Sequence, residues 1–400
     1  MADIKGSMPS EEKRFPAFVR HDVAAMEPSR IVQLWELGFG MDDVIPLWVG
    51  ESDQATPAFI SDAAYAALQA GKTFYTHKRG IPELRQGIAD YTAGLYGIPM
   101  SADRVSVTAS GMHGITLICQ ALFEPGDNLI VVAPSWPNVV KAAQVQHAEV
   151  RFATLDPKPE GGFTLDLEKL FSLVTDRTRA LFVNSPGNPT GWMIEADQQR
   201  EILDFCRSRG IWLLADEVYA RFVYDRSVAP SFLQLAEPDD PVIHINSFSK
   251  AWAMTGWRLG WLITPPAFGK IVDQLIEFST SGSQAFLQHG ALAALTPQGE
   301  TFARSMVDRC RQGGEMVFQR LAAMERVTLS RPTASFYAFF RIDGVEDSLS
   351  FAKRILSETG VGLAPGSAFG PGGEGHMRLC YASSHNLLSK ALDRLELILR

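Results

Sequence analysis

Between residues 105 and 245, short apolar runs alternate with segments of helical spacing, and this alternation restricts the fold more than any other feature. Val105-Ser-Val-Thr108, Leu129-Ile-Val-Val-Ala133, Val150-Arg-Phe-Ala153, Arg179-Ala-Leu-Phe-Val183, Ile211-Trp-Leu-Leu-Ala215 and Pro241-Val-Ile-His-Ile245 read as strands. Residues 115–123, 165–175 and 195–208 read as helices between them. Strands this apolar have no wet face, so helices must cover the sheet. The expectation is an α/β fold with a mainly parallel sheet. Ligands of such sheets sit beyond the carboxyl ends of the strands. Three polar groupings fall at such ends: Asn184 to Gly191, Asp216 to Tyr219, and Asn246 to Lys250.

The flanks read differently. Residues 1–30 are polar with Pro9, Pro16 and Pro28, which predicts a loose arm and a short helix. Ile31 to Leu37 has helical spacing, and Val44 to Val49 reads as a short strand ending at Gly50. A long helical stretch is expected from about residue 267, with another helix at 300–325. Leu329 to Ile342 and Gly375 to Tyr381 read as strands, and Asn386 to Leu399 as an amphipathic helix. This mixture predicts a second, smaller α+β domain. A chain of 400 residues has room for it. The expected division is an arm with part of the small domain at 1–55, the large domain at 56–290, and the rest of the small domain at 291–400.

Charge and cysteine content exclude several classes. A formal net charge of −8 opposes binding to nucleic acid, which needs a basic surface. Cys119, Cys206, Cys310 and Cys380 are far apart, which predicts free thiols in a reducing, cytoplasmic setting and no metal site. No run approaches the ~18 apolar residues of a membrane span. The first fifteen residues show no apolar secretory core.

The chemistry concentrates in Asn246-Ser-Phe-Ser-Lys-Ala-Trp-Ala-Met-Thr-Gly-Trp-Arg-Leu-Gly260. Desolvating Lys250 on a short turn disfavours its charged form, and an uncharged amine attacks aldehydes to give a Schiff base. Ser247, Ser249 and Arg258 are what a phosphate needs nearby. A further phosphate arrangement precedes them. Val105 to Thr108 runs through small residues, Ser110 and Gly111 among them, into a helix whose first N–H groups can face an anion. An aldehyde-reactive amine beside a phosphate pocket points to pyridoxal 5′-phosphate.

Ser-x-Ser-Lys followed by Thr-Gly-Trp-Arg-x-Gly resembles the lysine signature of the fold-type I, class I/II aminotransferases, and the resemblance extends over about residues 30–395. It implies a homodimeric enzyme that exchanges an amino group between an L-amino acid and a 2-oxo acid. Lys250 matches the Schiff-base lysine, which also moves the Cα proton. Asp216 matches the aspartate paired with the pyridine nitrogen. Tyr219 and Asn188 match the pair on the cofactor phenolic oxygen. Ser110, Gly111, Met112, Ser247, Ser249 and Arg258 match the phosphate cup, and Tyr75 matches a tyrosine that reaches the neighbouring subunit's phosphate. Trp136 matches the aromatic stacked on the ring. Arg378 matches the arginine gripping the substrate α-carboxylate, with Gly50 allowing backbone to approach it.

Some positions depart from that pattern. Met112 stands where many bacterial aspartate-type relatives carry a lysine. Val139 replaces a histidine, Gln54 replaces an aromatic, and Ala334-Ser335 replaces Gly-Ala before Phe336-Tyr337. These departures predict a neutral or bulky donor, unless Lys78 or Arg79 supplies a cation. The alternatives are a C–S lyase on the same scaffold, since the pocket decides the outcome, and a non-catalytic sensor module. The chain shows no basic DNA-binding segment for the latter.

Overall fold

The computed structural model describes residues 19–400, so most of the expected N-terminal arm lies outside the described residues. The central sheet has seven strands, in the order Val105–Thr108, Gly260–Ile263, Val242–Ser247, Trp212–Asp216, Thr178–Asn184, Asn128–Ala133 and Glu149–Thr154. Only Gly260–Ile263 runs antiparallel to its neighbours. The other pairings are parallel.

Alternate residues of the buried strands feed different cores. Leu129, Val131 and Phe182 pack with Ile118 and Val272 on one face. Ile130, Val132 and Leu181 pack with Ile202 and Leu203 on the other. That two-sided burial is why these strands read as unbroken apolar runs.

A second sheet of four antiparallel strands joins Val327–Thr328, Tyr337–Ile342, His376–Cys380 and Ala364–Pro365. The helices Pro297–Leu321, Ser348–Thr359 and His385–Leu399 pack around its core. The run at Val44 to Val49 gives only a two-residue strand, Ile45–Pro46, which pairs with Val361–Gly362. Here the Trp48 indole is wedged between two glycines. A Cβ on Gly38 would stand 2.4 Å from it, and one on Gly362 2.0 Å.

Several elements are shorter or more broken than expected. The helix expected at 165–175 is Leu167–Ser172, capped by the Asp166 carboxylate. Of the expected strand from Leu329 to Ile342 only Tyr337–Ile342 forms, and Ser335 at φ 57° turns the chain just before it. The stretch after 267 divides into Pro266–Glu277, Ala285–Ala294 and Pro297–Leu321. Ser281 and Gly282, at φ 55° and 110°, break the first from the second.

Candidate active site

The carboxyl ends of the central strands border a cavity of about 540 Å³, whose wall also includes the Trp48–Glu51 segment and Arg378. After Thr108 the chain turns at Ser110, at φ 109°, and enters the Gly111–Leu122 helix. Ser110 Oγ accepts the His113 N–H at 3.0 Å. The earlier N–H groups have no carbonyl one turn back, so the helix presents its positive end. Gly260 allows this approach: a Cβ there would lie 2.5 Å from the Gly111 nitrogen.

Asp216 ends the Trp212–Asp216 strand and is fully buried. Its carboxylate accepts one backbone N–H, that of Val218, at 3.3 Å. Burial above all pushes this carboxyl up to about 6. Asn184 is in register with Asp216 on the adjacent strand. The Asn184 amide donates to the Asp216 carbonyl at 3.0 Å and accepts the Asn188 N–H at 2.8 Å, which fixes the Asn188 turn.

Lys250 follows the Val242–Ser247 strand. The residue faces the cavity and keeps some exposure, but its amine is enclosed. Nζ donates to the Gly50 carbonyl at 2.5 Å. Desolvation pulls the amine down to about 8, and the charges of Arg378 and Arg258 act in the same direction. Ser247 and Ser249 stand beside it, joined by a 3.3 Å bond from the Ser249 N–H to Ser247 Oγ. Arg258 has a left-handed backbone and donates Nη1 to the Thr255 carbonyl at 2.7 Å.

Arg378 is buried on the second sheet. Nη1 donates to Asn188 Oδ1 at 3.0 Å, and Nη2 donates to the Trp48 carbonyl. Its Nε is buried without a partner among the described residues. The guanidinium lies 4.7 Å from the Tyr337 ring centroid and 5.0 Å from that of Phe369. Tyr337 and Tyr219 share a hydrogen bond of 2.7 Å between their hydroxyls. Burial pushes both phenols up, so both keep their protons.

The expected residues Gly50, Gly111, Met112, Trp136, Asn188, Asp216, Tyr219, Ser247, Ser249, Lys250, Arg258 and Arg378 therefore converge on one cavity. Ser110 lies just behind it as the helix cap. Tyr75 does not join them and is 92 % exposed. Lys78 pairs with Glu277, while Arg79 holds Ser106 and the Asp103 and Val105 carbonyls. Neither lines the cavity within this chain. Sequence reasoning put Asn184 at the rim only as part of a strand-end grouping, and assigned no place here to Tyr337 or the Trp48 carbonyl. It also missed Val32 and Trp35, from the Arg30–Gly38 helix, in the cavity wall. The one available signal was that Val32 and Trp35 are three positions apart, on one helical face. Among the described residues, no cluster of His, Cys, Asp and Glu could hold a metal ion.

Residues 42–395 match the family model "Aminotransferase class I and II". An aspartate aminotransferase of Pyrococcus horikoshii is 33 % identical, over 95 % of this chain and 96 % of its own length. An aromatic-amino-acid aminotransferase of Thermococcus litoralis is 34 % identical, over 94 % of this chain and 96 % of its own length. The crystal structure of a Thermotoga maritima aspartate aminotransferase superposes with a TM-score of 0.88 at 32 % identity, covering 94 % of this chain and 99 % of that one.

Proposed function

The chain belongs to the class I and II aminotransferases, enzymes moving an amino group between an amino acid and a 2-oxo acid, and we propose that it does so with pyridoxal 5′-phosphate held at Lys250. The carrying observation is a set of under-satisfied groups around one cavity. A buried carboxylate has a single N–H donor, a buried amine has a lowered proton affinity, and a buried guanidinium has a free Nε. Each suits one part of that cofactor or of an amino acid.

When bound, the cofactor supplies an aldehyde for the amino group and a ring that draws electrons from the substrate Cα. The helix start at Ser110, Gly111 and Met112 binds the phosphate with Ser247, Ser249 and the Arg258 charge. Asp216 keeps the ring nitrogen protonated. Trp136 stacks on the ring, and the Tyr219 hydroxyl and Asn188 amide hold its phenolic oxygen. Arg378 grips the substrate α-carboxylate, for which the Tyr337 and Phe369 rings and the Trp48 carbonyl have already fixed its orientation. Gly50 leaves room there, since a Cβ would stand 2.0 Å from Tyr337 Oη. Lys250 holds and moves the proton at Cα. A amine lowered to about 8 can do so near neutral pH.

The preferred donor is neutral or bulky. Lys250, Arg258 and Arg378 are the cations of the cavity wall among the described residues, and all three have other work. Met112, Val32, Trp35 and Val49 supply apolar surface. We infer a homodimer, supported by Phe74, Tyr75 and Phe278 being 83, 92 and 85 % exposed, with Tyr75 reaching the partner's phosphate. The reducing cytoplasm suits four buried free thiols. The domain limits stay at 1–55, 56–290 and 291–400. Their support is that the seven-strand sheet falls within Val105 to Ile263 and the four-strand sheet within Val327 to Cys380.

Two measurements test this reading. Borohydride should fix the cofactor on a peptide carrying Lys250. Amino acid by amino acid, kcat/KM should favour leucine, methionine or phenylalanine. A value for aspartate about tenfold above all three overturns the donor assignment.

A further inference from the structure

Behind Asp216, on the opposite side of the sheet from the cavity, lies an acid–base pair that the proposed chemistry does not use. Asp216 pairs in register with Ile245, and both face the cavity. The residues beside them, Glu217 and His244, therefore point to the far face. Each is 1 % exposed. His244 Nε2 stands 3.3 Å from Glu217 Oε2, within ion-pair reach but off the line of a hydrogen bond. Both ring nitrogens of His244 are buried without a hydrogen-bond partner among the described residues. Glu217 accepts the Phe232 N–H at 3.0 Å and the Tyr96 hydroxyl at 3.5 Å.

A buried imidazole with no hydrogen bond is costly, and the group nearest to offset that cost is the Glu217 carboxylate. The elements packed around the pair bring few other charges. The Pro82–Tyr96 helix contributes Tyr91 and Tyr96, whose phenols burial pushes up, so they stay neutral. The neighbouring strand contributes Ile263 opposite His244. Arg221 lies on the same side but is committed to Glu300 and Tyr91. The His244–Glu217 pair is thus left facing Asp216 through the sheet. A positive His244 favours the Asp216 carboxylate, and a negative Glu217 opposes it.

We propose that His244 and Glu217 are positioning residues: a sealed charge pair behind the sheet that sets how firmly Asp216 keeps its negative charge. This rests on the reading that Asp216 serves the ring nitrogen of a bound pyridoxal phosphate. Losing the positive partner makes the site more negative, and losing the negative partner makes it more positive. A merely structural role would give shifts of one sign or none.

The test is the pH midpoint of the absorbance change of the protein–pyridoxal phosphate complex, measured for the wild type, His244→Gln and Glu217→Gln. The midpoint should rise by about 0.5 unit or more in His244→Gln and fall by a similar amount in Glu217→Gln. Unchanged midpoints, or shifts of the same sign, overturn the proposal. If His244→Gln does not fold, Glu217→Gln alone decides, and a midpoint at or above that of the wild type overturns it. A wild type that forms no borohydride-trappable complex would instead mean that the cofactor assignment itself had failed.

Discussion

Arg378 shows at the residue scale why two cations need not be equivalent. Its fork is oriented by Asn188 Oδ1, the Trp48 carbonyl and two aromatic faces, a geometry that an ammonium cannot reproduce. Arg378→Lys should keep the bound cofactor's spectrum and lose most of kcat/KM, each charge-assisted bond being worth about 1.5–3 kcal/mol. Normal kinetics in that variant would remove Arg378 from the site. Asp216 gives a prediction about pH. Its folded-state carboxyl is raised to about 6, above the ordinary carboxylate value, so the folded protein binds more protons between about pH 4 and 6. Cofactor-free protein should then lose stability as pH rises through that window, by an amount of order 3 kcal/mol. Asp216→Asn should remove that loss. Urea unfolding at pH 4.5 and 7 measures it, and parallel behaviour of the two proteins would refute the assignment.

At the scale of elements, the Gly111–Leu122 helix and the Gly260–Ile263 strand meet backbone to backbone at the rim. Gly260→Ala drives a Cβ to within 2.5 Å of the Gly111 nitrogen and 2.8 Å of the Ser110 carbonyl carbon. It should cost about 1–3 kcal/mol and weaken cofactor binding, because the helix start must back away. A thermal midpoint and a cofactor titration matching the wild type would contradict this. The rim itself was readable in the sequence. Apolar runs ending in Asp216, Asn184 and Asn246 place their polar residues at strand ends through local patterning alone. The Trp48 carbonyl and Tyr337 were not readable in this way. A carbonyl acceptor carries no side-chain signal, and Tyr337 reaches Tyr219 only because two separate sheets pack together. The strand expected at Val44 to Val49 shrank for a related reason. Its partner, Val361–Gly362, is itself only two residues long.

At the scale of the whole molecule, the exposed aromatic surface bears on assembly. Phe74, Tyr75 and Phe278 are large side chains left in water by a single copy of the chain. Sedimentation should report twice the chain mass, and Tyr75→Phe should weaken cofactor binding without dissociating the dimer. A monomer that binds the cofactor with full affinity would end the shared-site reading. Composition and spacing gave neither exposure nor partner, since Tyr75 looks like any aromatic in a turn-rich stretch, and only its match to the family pattern implied a second subunit. The guanidinium of Arg378 also has a consequence for synthesis. Its two anchors stand 190 and 330 positions earlier in the chain. A ribosome will have released every strand of the main sheet, with Lys250, before the arginine is made. The residues of the main-sheet rim therefore leave the ribosome well ahead of the one that would grip substrate, and turnover must await Arg378.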